Sequence, residues 1–79
     1  MKIEYIDINK IKPYENNPRK NRKTINKLKE LIGSGEIEFN VPIVIDKNYV
    51  IVKGHSRWTA LKELGYSICP VIISKNSDE

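Results

Sequence analysis

Gly54, His55, Ser56 and Arg57 stand in a row in this 79-residue chain, and each has a use at an anion site. A glycine lets the backbone approach a phosphate closely, and a serine hydroxyl donates or caps. A guanidinium offers a planar fork of donors, and an imidazole supplies one more donor or a proton. The chemistry such a set supports is capture of a phosphate at the start of a helix. There the first backbone N–H groups lack partners and the helix dipole presents its positive end. The same residues also have a purely local use: Gly54 makes the turn, Ser56 caps the helix and Arg57 points at water.

Other chemistries find less support. One histidine, one cysteine and scattered acids do not make a transition-metal ligand set. Ser56 and His55 are neighbours at a helix start and diverge, which argues against a nucleophilic triad. Neither a Walker loop nor a dinucleotide fingerprint is found. Cys69, beside Pro70 in an apolar run, has no second cysteine with which to form a disulfide. Asp46 and Glu63 are the acids that folding would have to bring to the loop if it were to act as an enzyme.

The elements that must position the loop follow from periodicity. Residues 2–9 read as a strand around Ile3, Tyr5, Ile6 and Ile8, although Tyr5 and Ile6 break strict alternation. Pro13 and Pro18 bracket a turn-forming loop. From Asn21 or Thr24, Ile25, Leu28, Leu31 and Ile32 line one helical face, and Gly33 and Gly35 supply a stop. Residues 42–46 and 49–53 form a hairpin about Lys47 and Asn48, apolar enough to be expected at the centre of a sheet. A second helix is expected from Arg57 to Leu64, with Trp58, Leu61 and Leu64 as a packed stripe. Residues 68–74 read as a buried strand, and residues 74–79 as a polar tail. The expected fold is one small α/β (α+β) domain over residues 1–79, with a mixed β-sheet and two main helices.

Lys and Arg number 14 against 10 Asp and Glu, a net charge of +4. The excess gathers at Lys10, Lys12, Arg19, Lys20, Arg22, Lys23, Lys27 and Lys29, where Glu15 is the only acid. This is either a solvated face or a patch for phosphates, with Lys20, Arg22, Lys23 and Lys27 as candidates for weak, sequence-independent contact with DNA. The absence of a long apolar segment leads us to expect neither a secretory signal nor a membrane span, and a cytoplasmic setting.

The order of pieces along the chain resembles the ParB-like N-terminal domain of the ParB and sulfiredoxin superfamily, in the subgroup with a G-H-x-R box. The matching pieces are Ile11, Lys12, Pro13, Tyr14; Asn17, Pro18, Arg19; Leu31, Ile32; Val41, Pro42, Ile43, Val44, Ile45; Gly54 through Leu61 to Gly65; and Cys69, Pro70, Val71, Ile72. In ParB proteins the box usually reads G-E-R-R and holds a cytidine triphosphate. In sulfiredoxin it carries a catalytic cysteine and holds ATP. Gly54 and Arg57 match both patterns, while His55 and Ser56 match neither. His55 stands where sulfiredoxin has its cysteine, so the reductase activity is not expected.

The resemblance implies CTP or ATP with Mg2+ as ligand, and a site of Gly54, His55, Ser56 and Arg57 joined by Arg19 and Pro42. It implies a free-standing, DNA-associated accessory or regulatory domain of a plasmid, phage or mobile element, with protein partners or a homodimer open. A small phosphotransfer or nuclease-type enzyme and a pure protein-interaction module are the alternatives. Full ParB proteins continue into a helix-turn-helix domain. The chain stops at Glu79, so a sequence-specific DNA reader is not expected from it.

Overall fold

The structure is a computed structural model, and it describes residues 2–13, 22–38 and 40–74. Strand β1 (Glu4–Asp7) runs into a 3-10 turn (Ile8–Lys10); helix α1 (Arg22–Ser34) follows. Then come β2 (Ile43–Ile45), β3 (Ile51–Lys53), helix α2 (His55–Glu63) and β4 (Ile68–Ile73). The strands form one mixed sheet in the order β1-β4-β2-β3. β2 and β4 are parallel, and the other pairs are antiparallel. This is the expected α/β class with two helices and a mixed sheet.

β4 occupies a central position despite Pro70, and the phase of its backbone explains how. Ser74 N–H donates to Ile45 C=O at 2.8 Å, so alternate residues of β4, back to position 70, turn their backbone toward β2. Pairing with β2 begins only at Val71, opposite Ile43. The missing N–H of Pro70 therefore falls at the mouth of the parallel pair, a position where proline is tolerated.

One face of the sheet carries Ile43, Ile45, Ile51, Cys69 and Val71, all buried together with Ile25 and Ile32 of α1 and Trp58, Ala60 and Leu61 of α2. The helices pack on each other, and α2 lies against β2. Trp58 is the packed residue its spacing predicts. It is 8% exposed, and its indole N–H donates to Ile8 C=O at 3.2 Å. On the opposite face Tyr5, Val52 and Ile68 remain exposed.

Several boundaries differ from expectation. The first strand is only Glu4–Asp7, because the Asp7 carboxylate accepts from Asn9 N–H and starts the 3-10 turn. Helix α1 passes through Gly33 and stops after Ser34, where Gly35 at φ +85° lets Glu36 N–H fold back onto Leu31 C=O. The hairpin is not wholly central: β3 is an outer strand and Val52 is half exposed. Its loop includes Tyr49, at φ +68°, because Asp46 and Val50 close it, and the Asp46 carboxylate accepts from the N–H groups of Asn48 and Val50.

Candidate functional site

α2 begins two residues earlier than its spacing suggests. Gly54 is the N-cap, at φ +103°, with no side-chain cap. The first intrahelical bond runs from Trp58 N–H to Gly54 C=O at 2.9 Å. Ser56, expected as the cap, is instead inside the first turn, and the helix opens at His55. The reason is tertiary. A Cβ on residue 54 would lie 2.7 Å from Cγ2 and 2.9 Å from Cβ of Ile43. Only glycine fits this turn, by space as well as by dihedral. The joint is thereby pressed against β2, and the N–H groups of Ser56 and Arg57 point out of the helix start, as in any first turn.

Arg57 does not point at water. The residue is only partly exposed, and its Nη1 is buried with no hydrogen-bond partner among the described residues. Cys69 lies close enough to feel the Arg57 charge. Burial pushes the Cys69 thiol up to about 11, although Arg57 pulls the other way. The thiol is therefore neutral near pH 7 and cannot balance the guanidinium. Its Sγ donates to Pro70 C=O at 3.6 Å. His55 is half buried, and burial lowers its pKa. Its imidazole is therefore neutral near pH 7, which leaves Arg57 as the cation of the loop.

The other candidates divide. Pro42 is half buried and directly precedes β2. Because β2 and β3 run antiparallel, with Val44 opposite Lys53, Pro42 stands at the same end of the sheet as Gly54. Arg19 and Lys20 lie outside the described residues. Arg22 turns to α2, where Nη1 and Nη2 meet the Glu63 carboxylate at 2.9 and 2.5 Å. Lys29 adds a contact at 3.0 Å. Lys23 and Lys27 are exposed on α1.

Neither acid named as a catalytic candidate adjoins the loop. Asp46 is occupied in the hairpin turn. Glu63 closes α2, eight residues beyond His55 and hence about 12 Å along the axis. The pairs with Arg22 and then Lys29 hold its carboxyl down at about 2, which makes it a poor base. Among the described residues no group of three His, Cys, Asp or Glu could hold a metal ion. No helix there is long and apolar enough to cross a membrane.

Two participants escaped the sequence: Ile43, which makes Gly54 obligatory, and Cys69, near enough to Arg57 to feel its charge. Both sit in apolar runs that signal only burial.

Fold and site together define a class: a small α/β domain in which a glycine-capped helix, set against a mixed sheet, carries in its first turn a partly buried arginine with an unpaired Nη1. Comparison with known proteins makes this specific. The chain matches the ParB N-terminal domain over residues 1–79 and belongs to that family. It is 44% identical over 80 residues to the probable chromosome-partitioning protein ParB of Rickettsia prowazekii (strain Madrid E), covering 96% of this chain and 26% of that protein. It is 35% identical over 78 residues to the ATP-dependent L-serine kinase of Staphylothermus marinus, covering 94% of this chain and 30% of the kinase. A solved structure of a free serine kinase in complex with AMP superposes with a TM-score of 0.81 at 27% identity, over 98% of this chain and 32% of that one. The chain thus spans about a quarter to a third of the length of these relatives.

Proposed function

We propose that the domain binds a nucleotide by its phosphates at the start of α2. Arg57 is the charged anchor, and Gly54, Ser56 and His55 form the wall; Pro42 and, by family resemblance, Arg19 border the pocket. The observation that carries this reading is the Arg57 Nη1 atom, buried and without a partner beside a helix start. A buried donor left unpaired costs about 1–3 kcal/mol, and more when charged. A phosphate oxygen removes that penalty and gains the dipole of α2 as well. The residues present therefore fit a phosphate. CTP or ATP with Mg2+ are the ligands of choice, the metal entering with the nucleotide. The AMP-bound and ATP-dependent relatives support a nucleotide over a bare anion.

In this reading the module is a DNA-associated accessory of a plasmid, phage or mobile element, in keeping with the chromosome-partitioning relatives. Contact with DNA through Lys23, Lys27 and Lys20 would be weak and steeply salt-dependent, because such lysines neutralise phosphates without reading bases. Arg22, paired with Glu63, contributes least. A phosphotransfer enzyme is the second reading, favoured by the 35% identity to a serine kinase. In that case the missing acid would come from residues other than Asp46 and Glu63.

Thermal unfolding with CTP, ATP and GTP, each with and without Mg2+, tests the binding reading. It expects a rise in Tm with at least one nucleotide and loss of that rise in Arg57→Met. No shift with any of the three would refute it. Turnover of ATP in the presence of small hydroxylated metabolites would favour the kinase reading.

A further inference from the structure

The two edges of the sheet are finished differently. Beyond β3, Lys12 continues the ladder: its N–H donates to Tyr49 C=O at 2.8 Å, and its C=O accepts from Ile51 N–H at 2.9 Å. At the other edge β1 pairs with β4 alone. Ile8 N–H donates to Ser67 C=O at 3.0 Å, and the phase of β4 set by Ser74 turns Cys69 and Val71 toward Ile6 and Glu4. Residues 4, 6 and 8 therefore direct their backbone groups at β4. Alternation then turns the backbone groups of Ile3, Tyr5 and Asp7 outward, where no backbone partner among the described residues meets them. Along the same rim of the face opposite the helices Ile3 and Ile68 are 42% exposed and Tyr5 is 53% exposed.

We infer that this edge pairs with the same edge of a second copy of the chain, antiparallel and centred on Ile3, so that one sheet runs through both molecules. The register follows from charge. A two-fold pairing centred on any one residue of this stretch sets outward groups opposite outward groups, Ile3 on Ile3 or Ile3 on Tyr5, so charge selects among the registers. Centred on Ile3, it sets Lys2 of each copy opposite Glu4 of the other, two reciprocal pairs of opposite charge, and brings the two Ile3 side chains together. Centred on Tyr5, it would oppose Glu4 to Ile6 and Asp7 to Ile3. Centred on Glu4, it would press two carboxylates together across the axis. The Ile3 register also joins Ile3, Tyr5 and Ile68 of both copies into one apolar strip.

The contact is short, below the roughly 1,000 Å² of a stable interface, so the dimer forms only at high concentration. A two-fold axis normal to the sheet keeps both helix layers on the same side, and it leaves both α2 starts uncovered.

Sedimentation equilibrium from micromolar to millimolar protein, with amide exchange followed by NMR, tests the inference. The wild-type chain should show concentration-dependent dimerisation, and the Ile3 and Tyr5 amides should gain protection in step. Lys2→Glu alone and Glu4→Lys alone each set two like-charge pairs across the axis and should weaken association by roughly tenfold. The double variant Lys2→Glu/Glu4→Lys exchanges the partners and should restore it. Ile3→Pro removes an outward donor while leaving the bonds to β4 in place, and it should give a monomer with an unchanged Tm at low concentration. A monomer at every concentration, or a dimer indifferent to Ile3→Pro and to the single charge variants, would overturn the inference. The nucleotide-dependent rise in Tm, read at low concentration on the same samples, is independent of either result.

Discussion

Replacing Arg57 by Met separates what the arginine does for the fold from what it does for a ligand. Met keeps an unbranched stem of similar reach and removes the guanidinium, whose Nη1 is buried and unpaired. The unliganded protein should therefore lose nothing and stands to gain up to about 1–3 kcal/mol, the penalty of an unsatisfied buried donor. In a domain of this size each kcal/mol moves Tm by about 4–8 °C. With ligand the sign reverses. At 100 times its Kd a nucleotide stabilises the wild-type chain by about 2.7 kcal/mol, a rise of roughly 10–20 °C. Loss of a charge-assisted hydrogen bond of about 1.5–3 kcal/mol weakens binding by one to two decades. At the larger loss the same ligand concentration only equals the new Kd, and the stabilisation falls to about 0.4 kcal/mol. Differential scanning calorimetry with and without nucleotide reads both numbers from one sample. Arg57→Lys should rescue ligand binding poorly, since an ammonium keeps the charge but lacks the bidentate fork. A wild-type ligand shift in Arg57→Met, or an unliganded Tm lowered by more than a few degrees, would show that the guanidinium packs for stability rather than waiting for an anion.

Three further outcomes follow from contacts already described. Gly54→Ala puts a Cβ 2.7 Å from Ile43 Cγ2 at φ +103°, and should destabilise the unliganded domain by about 2–4 kcal/mol in urea titration; a loss under 1 kcal/mol would mean that the joint relaxes freely. Trp58→Phe leaves Ile8 C=O without the indole donor and should cost about 1–3 kcal/mol; an unchanged Tm would show that water replaces the bond. The Glu63 carboxyl, held at about 2 by Arg22 and Lys29 against an ordinary 4.5, lends stability that is full above pH 4.5 and lost as pH falls toward 2. Glu63→Gln should remove that part of the slope, and parallel pH profiles for the two proteins would contradict the pairing.

The loop was legible because its signal is local. A glycine between an apolar run and a helical repeat, followed by Ser and Arg, marks a strand-to-helix joint whose free N–H groups make it a candidate for an anion. The hairpin, the stripe of Trp58 and Leu61, and the strand after Gly65 were legible for the same reason, since each is a repeat read over a few residues. Errors arose where distant residues decide. The sequence offers Ser56 as a good cap, yet the contact between residue 54 and Ile43 fixes the helix start at Gly54. The run at residues 49–53 is as apolar as a central strand, yet β3 lies outermost with a single bridge from Lys12 beside it. The direction of Arg57 belongs to the same class. Inside the first turn of a nine-residue helix an arginine ordinarily reaches solvent, and nothing within four residues of it says otherwise. Its Nη1 is buried only in the folded domain, where α2 packs against β2 and Cys69 of β4 feels the guanidinium's charge. Position along the chain thus identified the candidate loop, while packing across the sheet determined which of its groups is left wanting a partner.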